Sequence, residues 1–195
     1  LVNARFRVQG LRHATTHCDL KWIFVGKNEG VPHAARYLEA YPTLANATPG
    51  QSLAVPAAPT LERAVALDAF DSPGFLTFTE FLAEHTLATP EQLAARRQEV
   101  IASDLALIMF TSGTTSLPKG CMLTQQSVFR TSLAMRNRLS LTTNDCMWDP
   151  LPMFHMASIL PLISLFHDGG SCLTDDKVDI DRAVEQIQKH RATFL

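Results

Sequence analysis

The sequence predicts an α/β fold, a layered and mostly parallel sheet flanked by helices, on three observations. Short apolar runs suited to strands alternate along the chain with stretches of helical periodicity. The run at residues 105–110 is unbroken, as expected of a strand covered on both faces. Residues 179–190 form the clearest helix. Ile180, Ala183, Val184 and Ile187 are its expected buried stripe, with Asp179 and Asp181 at its positive end and Lys189, His190 and Arg191 at its negative end.

Taken in order, residues 9–17 read as a helix and residues 21–25 as a strand that stops at Gly26. Pro32 marks the next helix start, and Ala34, Tyr37, Leu38 and Tyr41 recur at helical spacing. His13 and His17 stand four apart with Cys18 adjacent, which places two metal-type ligands on one helical face. With no third ligand evident, a solvated helix face is the preferred reading there, and no metal site is assigned. Residues 46–60, with Pro49, Gly50, Pro56 and Pro59, lack periodicity and read as a connector. Residues 75–85 predict a short amphipathic helix with Phe78, Phe81 and Leu82 inward. Residues 90–100 predict a second, with Arg96 and Arg97 outward.

Beyond residue 110, residues 120–123 suggest a strand, and Thr124 caps a helix reaching about residue 139. A strand over 146–151, an apolar helix to residue 166, a stop at Gly169 and Gly170, and a strand over 171–174 follow. Residues 192–195 begin another strand and stop. Together with Leu1 in place of an initiator methionine, that predicts a piece of a longer chain.

Composition bounds the function. The chain has 195 residues, net charge -2, 46% hydrophobic and 18% charged residues, an ordinary globular balance. Seventeen basic against 19 acidic residues argue against a nucleic-acid partner. Cys18, Cys121, Cys146 and Cys172 are widely spaced, which favours free thiols in a cytoplasmic setting over a disulfide framework. No signal peptide is evident, and the apolar segment at 151–166 is shorter than the roughly 20 residues a membrane span needs.

The chemistry concentrates in residues 111–120, Thr-Ser-Gly-Thr-Thr-Ser-Leu-Pro-Lys-Gly. Hydroxyls and backbone N–H groups donate hydrogen bonds, glycine lets a ligand come close, and lysine supplies positive charge, a set suited to a polyphosphate. No Asp or Glu stands between Asp104 and Asp145, whereas Lys119, Arg130, Arg136 and Arg138 do. The spacing is not G-x-x-x-x-G-K-[ST], and on composition alone a hydroxyl-rich surface turn with an incidental lysine is the plain alternative.

The stretch resembles the phosphate-loop signature of the adenylate-forming superfamily, which includes acyl-CoA and aryl-CoA synthetases. Residues 149–156, Asp-Pro-Leu-Pro-Met-Phe-His-Met, resemble the family's next core motif beside the acyl pocket, and residues 3–6 resemble a segment upstream. Ser116 stands where glycine is usual, and Gln125 where histidine is common. What is present resembles part of a large N-terminal domain (residues 1–195, incomplete), without the family's later motifs or its small C-terminal domain.

The resemblance implies two half-reactions. A carboxylic acid attacks ATP to give acyl-adenylate and pyrophosphate, and coenzyme A then takes the acyl group, with Mg²⁺ as the metal. It implies Thr111, Ser112, Gly113, Thr114, Thr115, Ser116 and Lys119 as the phosphate-binding set, with Lys119 either neutralising phosphate or pinning the loop. It implies His155 on the acyl side, although a histidine starting a helix in an apolar segment is the competing reading. Met153, Phe154, Met156 and Ile159 suit an acyl pocket or a core face equally. A fatty or other aliphatic acid is the expected substrate, and a homodimer is compatible with the resemblance. The alternatives are an acyl-AMP ligase that loads a carrier protein and a nucleotide-binding module without catalysis.

Overall fold

The computed structural model describes residues 2–28, 31–48, 51–68, 73–84, 88–111, 117–175 and 178–194. Contacts group the chain into two units, Val2–Val100 with Phe110–Gly120, and Ile101–Met109 with Cys121–Leu195.

In the first unit α1 (Val8–His17) leads to β1 (Trp22–Val25), and a small antiparallel pair, β2 (Lys27–Asn28) and β3 (Val31–Pro32), leads to α2 (His33–Ala40). A 3-10 turn (Pro42–Asn46) follows, then β4 (Arg63–Ala66), β5 (Leu76–Thr77), α3 (Phe78–Ala83) and α4 (Pro90–Gln98). The sheet order is β1-β4-β5 with both pairings parallel, Trp22 opposite Arg63 and Val65 opposite Leu76. Alternation on β1 sends Ile23 and Val25 into a core shared with Tyr37, Tyr41, Leu44 and Leu61. Both short helices start on a reciprocal cap. Thr77 accepts from the Glu80 N–H and Thr89 from the Gln92 N–H, while the Glu80 and Gln92 side chains accept from the Thr77 and Thr89 N–H groups.

Three expectations change here. β4, which no hydrophobic pattern announced, is the central strand, because its small Ala64, Val65 and Ala66 are covered by neighbours from elsewhere in the chain. The stretch after the 3-10 turn has no regular structure from 51 to 60, yet Leu53, Val55 and Ala58 are core residues. On α3 Phe81 packs edge-on against Trp22 at 5.8 Å and Phe24 at 5.2 Å. Phe78 and Leu82 are 40% and 50% exposed, since six residues make one stripe and Phe81 fills it.

Burial pushes the Tyr37 phenol up to about 12, opposed by a hydrogen bond with Thr15 and aided by the neighbouring Tyr41. The unfolded chain loses that proton near pH 10 and the folded one near 12, so the stabilisation is complete below pH 10 and falls as pH rises through 12. The expected loss is about 2–3 kcal/mol across that window. Urea unfolding at pH 9, 10 and 11.5 checks it, and a flat profile in wild type, or the same decline in Tyr37→Phe, contradicts it.

The second unit contains β6 (Leu105–Phe110, whose last residue belongs to the first unit), β7 (Gly120–Thr124, whose first residue does too), α5 (Gln125–Leu139), β8 (Cys146–Asp149), α6 (Met156–Phe166), β9 (Ser171–Thr174) and α7 (Ile180–His190). β6 pairs with β7, and β8 pairs in parallel with β9, Cys146 opposite Ser171 and Asp149 opposite Thr174. Phe194 adds a parallel bridge to Met147. Leu141, Met147, Leu162 and Leu165 form the core. Thr124 and Asp179 cap α5 and α7 by accepting from the Ser127 and Arg182 N–H groups.

Two burial expectations fail in this unit. Only Met109 of β6 is buried and Leu105 is 50% exposed, because β6 has a single partner strand among the described residues. On α7 only Ala183 is buried, whereas Ile180 and Val184 are 68% and 49% exposed. The expected cationic stretch is also smaller than it reads. Asp168 takes two hydrogen bonds from the Arg136 guanidinium, one of them 2.6 Å from Nη2 to Oδ1, so that charge is spent.

Candidate functional site

The hydroxyl-rich loop springs from the end of β6 and returns into β7. Residues 112–116, and with them the assignments of Ser112, Gly113, Thr114, Thr115 and Ser116, lie outside the described residues; the neck of the loop is described. The Thr111 N–H donates to the Lys119 carbonyl at 3.0 Å, and the Lys119 N–H donates to the Thr111 hydroxyl at 3.3 Å. Thr111 thus commits its N–H to the neck and keeps its hydroxyl proton to offer a ligand. Both residues are exposed, and among the described residues no carboxylate pairs with the Lys119 ammonium. The arrangement is a closed collar with one cation on its rim.

The collar rests on α1. His13 Nε2 lies 2.7 Å from the Pro118 carbonyl, one residue before Lys119. Its ring stacks on His17, with centroids 4.8 Å apart, and meets Phe110 edge-on at 6.3 Å. Phe6 packs on the same Phe110 at 5.8 Å. The solvated-face reading therefore fails for His13, which is half-buried, and holds for His17, which is exposed. Nothing within a few residues of His13 signals this contact, because its partner is 105 positions away.

The second motif sits between β8 and α6. Asp149, only 5% exposed at the end of β8, accepts the Ser158 hydroxyl at 2.5 Å and the Leu151 N–H at 3.0 Å. The second bond is an Asx turn, and it ends the strand at Asp149, short of the expected residue 151. His155 is the N-cap of α6; its side chain makes no capping bond, and its ring tilts against Phe154 at 4.6 Å. Its carbonyl accepts from the Ser158 and Ile159 N–H groups, both at 3.1 Å. Asp149 and Ser158 thereby set the turn that exposes His155. Of the apolar neighbours, Ile159 packs on the core, while Met153 is 38% exposed.

Removing the Asp149 carboxylate would strand a fully buried Ser158 hydroxyl and an N–H group. Asp149→Ala is therefore expected to cost about 2–3 kcal/mol, with Asp149→Asn retaining part of the stability. Denaturant unfolding reads this, and a loss below about 0.5 kcal/mol for the alanine variant would show the carboxylate to be dispensable.

Among the described residues no three His, Cys, Asp or Glu side chains are placed to hold an ion, and His13 spends Nε2 on a carbonyl. Burial, with help from Asp149 and Cys146, pushes the half-buried Cys172 thiol up to about 11, which keeps it a thiol at neutral pH.

Comparison with known proteins places these features in context. The AMP-binding enzyme family matches residues 1–195. Over 102 residues the chain is 36% identical to 4-coumarate--CoA ligase 3 of Arabidopsis thaliana, covering 49% of this chain and 18% of that protein. Over 139 residues it is 30% identical to the long-chain-fatty-acid--CoA ligase FadD13 of Mycobacterium tuberculosis, covering 70% of this chain and 27% of that protein. The chain thus spans less than a third of either relative. The crystal structure of the anthranilate CoA ligase AuaEII in complex with anthranoyl-AMP superposes with a TM-score of 0.73 at 16% identity, over 98% of this chain and 33% of that one.

Proposed function

Because the chain belongs to the AMP-binding enzyme family, we propose that it is the phosphate-gripping part of an acid–thiol ligase that activates a carboxylic acid with ATP. The acid's carboxylate attacks the α-phosphorus to give acyl-adenylate and pyrophosphate, and the thiol of coenzyme A then takes the acyl group as a thioester, releasing AMP. The observation that carries this reading is the collar joining Thr111 to the exposed Lys119 at the two ends of a sequence rich in hydroxyls and glycine.

Thr111 offers its hydroxyl to the triphosphate tail. Ser112, Thr114, Thr115 and Ser116 donate hydroxyl or backbone hydrogens, and Gly113 permits close approach. Lys119 stabilises charge that grows on the departing pyrophosphate, which is electrostatic rather than covalent catalysis. His155 faces the acyl side, held by the Asp149–Ser158 turn. The Lys119 ammonium and the Thr111 hydroxyl fit a phosphate, and among the described residues no three His, Cys, Asp or Glu side chains are placed to hold an ion.

A fatty or other aliphatic acid is the proposed substrate, supported by the exposed Leu151 and Met153 near His155 in sequence. Four free cysteines support a cytoplasmic setting, and no helix among the described residues is long and apolar enough to cross a membrane. The test is ATP–pyrophosphate exchange by the full-length protein with a panel of aliphatic and aromatic acids. Exchange that depends on an aliphatic acid is expected, followed by acyl transfer to coenzyme A; the 195 residues alone are expected to give no steady-state acyl-CoA. Exchange with none of the acids would reject the ligase reading, and preference for an aromatic acid would correct the substrate.

A further inference from the structure

We propose that His13 is a positioning residue for the phosphate-binding loop, acting through the peptide that joins Pro118 to Lys119. That peptide is held on both edges. Its carbonyl receives His13 Nε2 at 2.7 Å, and its N–H donates to the Thr111 hydroxyl at 3.3 Å. A trans peptide points these two groups in opposite directions, so the two bonds together fix the rotation of the plane from which the Lys119 side chain departs. The carbonyl of Lys119 is held in turn by the Thr111 N–H at 3.0 Å. Thr111 closes the collar upon itself, and His13 is what ties it to a helix.

The donor is well defined. A carbonyl only accepts, so Nε2 carries the proton, as it does in the Nε2–H tautomer and in the imidazolium alike. The ring is kept in place by His17 on its face and Phe110 at its edge. Hydroxyl- and glycine-rich loops lose much conformational freedom on gripping a ligand, and a group that pre-sets the backbone lowers that cost. Neither His13 nor α1 touches the ligand in this scheme, so His13 acts only through the backbone it orients.

The inference rests on the proposed phosphate-gripping role, and the test separates the two. In the full-length protein His13→Phe keeps a ring against His17 and Phe110 but removes the donor, whereas His13→Gln keeps an N–H of similar reach. Binding of ATP and of inorganic pyrophosphate is measured by calorimetry, and hydrogen exchange of the Lys119 amide is measured without ligand. His13→Phe is expected to weaken both ligands about five- to tenfold and to speed Lys119 exchange, with His13→Gln recovering most of each. The ring ¹⁵N spectrum of the wild type should show Nε2 protonated. Unchanged Lys119 exchange and affinity in His13→Phe, equal losses in both variants, or an unprotonated Nε2 would overturn the positioning role while leaving the loop's function intact. A wild type that binds neither ATP nor pyrophosphate would overturn the phosphate-gripping role and this inference with it.

Discussion

Gly74→Ala is expected to destabilise the first unit by about 4 kcal/mol or more, enough to unfold many domains of this size. Gly74 has φ +79°, a conformation that costs an L-residue roughly 1–2 kcal/mol. The greater cost is steric, because a Cβ at this position would lie 1.8 Å from the Leu44 carbonyl oxygen. That oxygen cannot swing aside cheaply. It accepts the Ala47 N–H at 3.0 Å within the 3-10 turn, and the Leu44 side chain is fully buried. Gly169→Ala is the control. Its φ of +76° imposes the same conformational cost, but the nearest atom to its Cβ, Thr143 Oγ1, stands 4.0 Å away. Circular dichroism under denaturant should show a severe loss for Gly74→Ala and only about 1 kcal/mol for Gly169→Ala. Equal shifts in the two variants would mean that the Leu44 clash relaxes.

Lys119→Ala is expected to slow ATP–pyrophosphate exchange by about 10²–10³ while leaving the thermal midpoint near wild type. The two readouts decide between neutralising phosphate and pinning the loop. Lys119 closes the collar with its own N–H and carbonyl, both of which alanine keeps. Its exposed side chain has no ion-pair partner among the described residues. Losing the side chain therefore removes charge and little else. Lys119→Arg should recover part of the rate, because it restores charge without the compact ammonium. An alanine variant that exchanges at the wild-type rate would remove Lys119 from the catalytic set.

Local chemistry was legible where it is complete within a few residues. The cap at Thr124 is where its spacing puts it, as are the strand leading into the hydroxyl-rich loop and the stop at Gly169 and Gly170. Burial was legible only where a local stripe happened to meet a partner. Ile180 and Val184 carry a clear helical pattern and remain exposed, while Leu53, Val55 and Ala58 carry none and lie in the core. An amphipathic pattern states which face can be buried; it does not supply the surface that buries it. The site divides in the same way. The motif at 111–120 is visible in sequence, but the turn at Asp149, its Ser158 partner and the His13 contact are not.

The order of residues alone determined the α/β alternation, the starts of α2 and α5 and the family to which the chain belongs, because propensity, capping and a contiguous motif act over a few positions. Only the tertiary structure decided that β4 lies at the centre of its sheet, that Gly74 must lack a side chain, and that His13 meets the Pro118 carbonyl. Each of those depends on atoms brought together from distant parts of the chain, and their energies arise only when folding has placed them in contact.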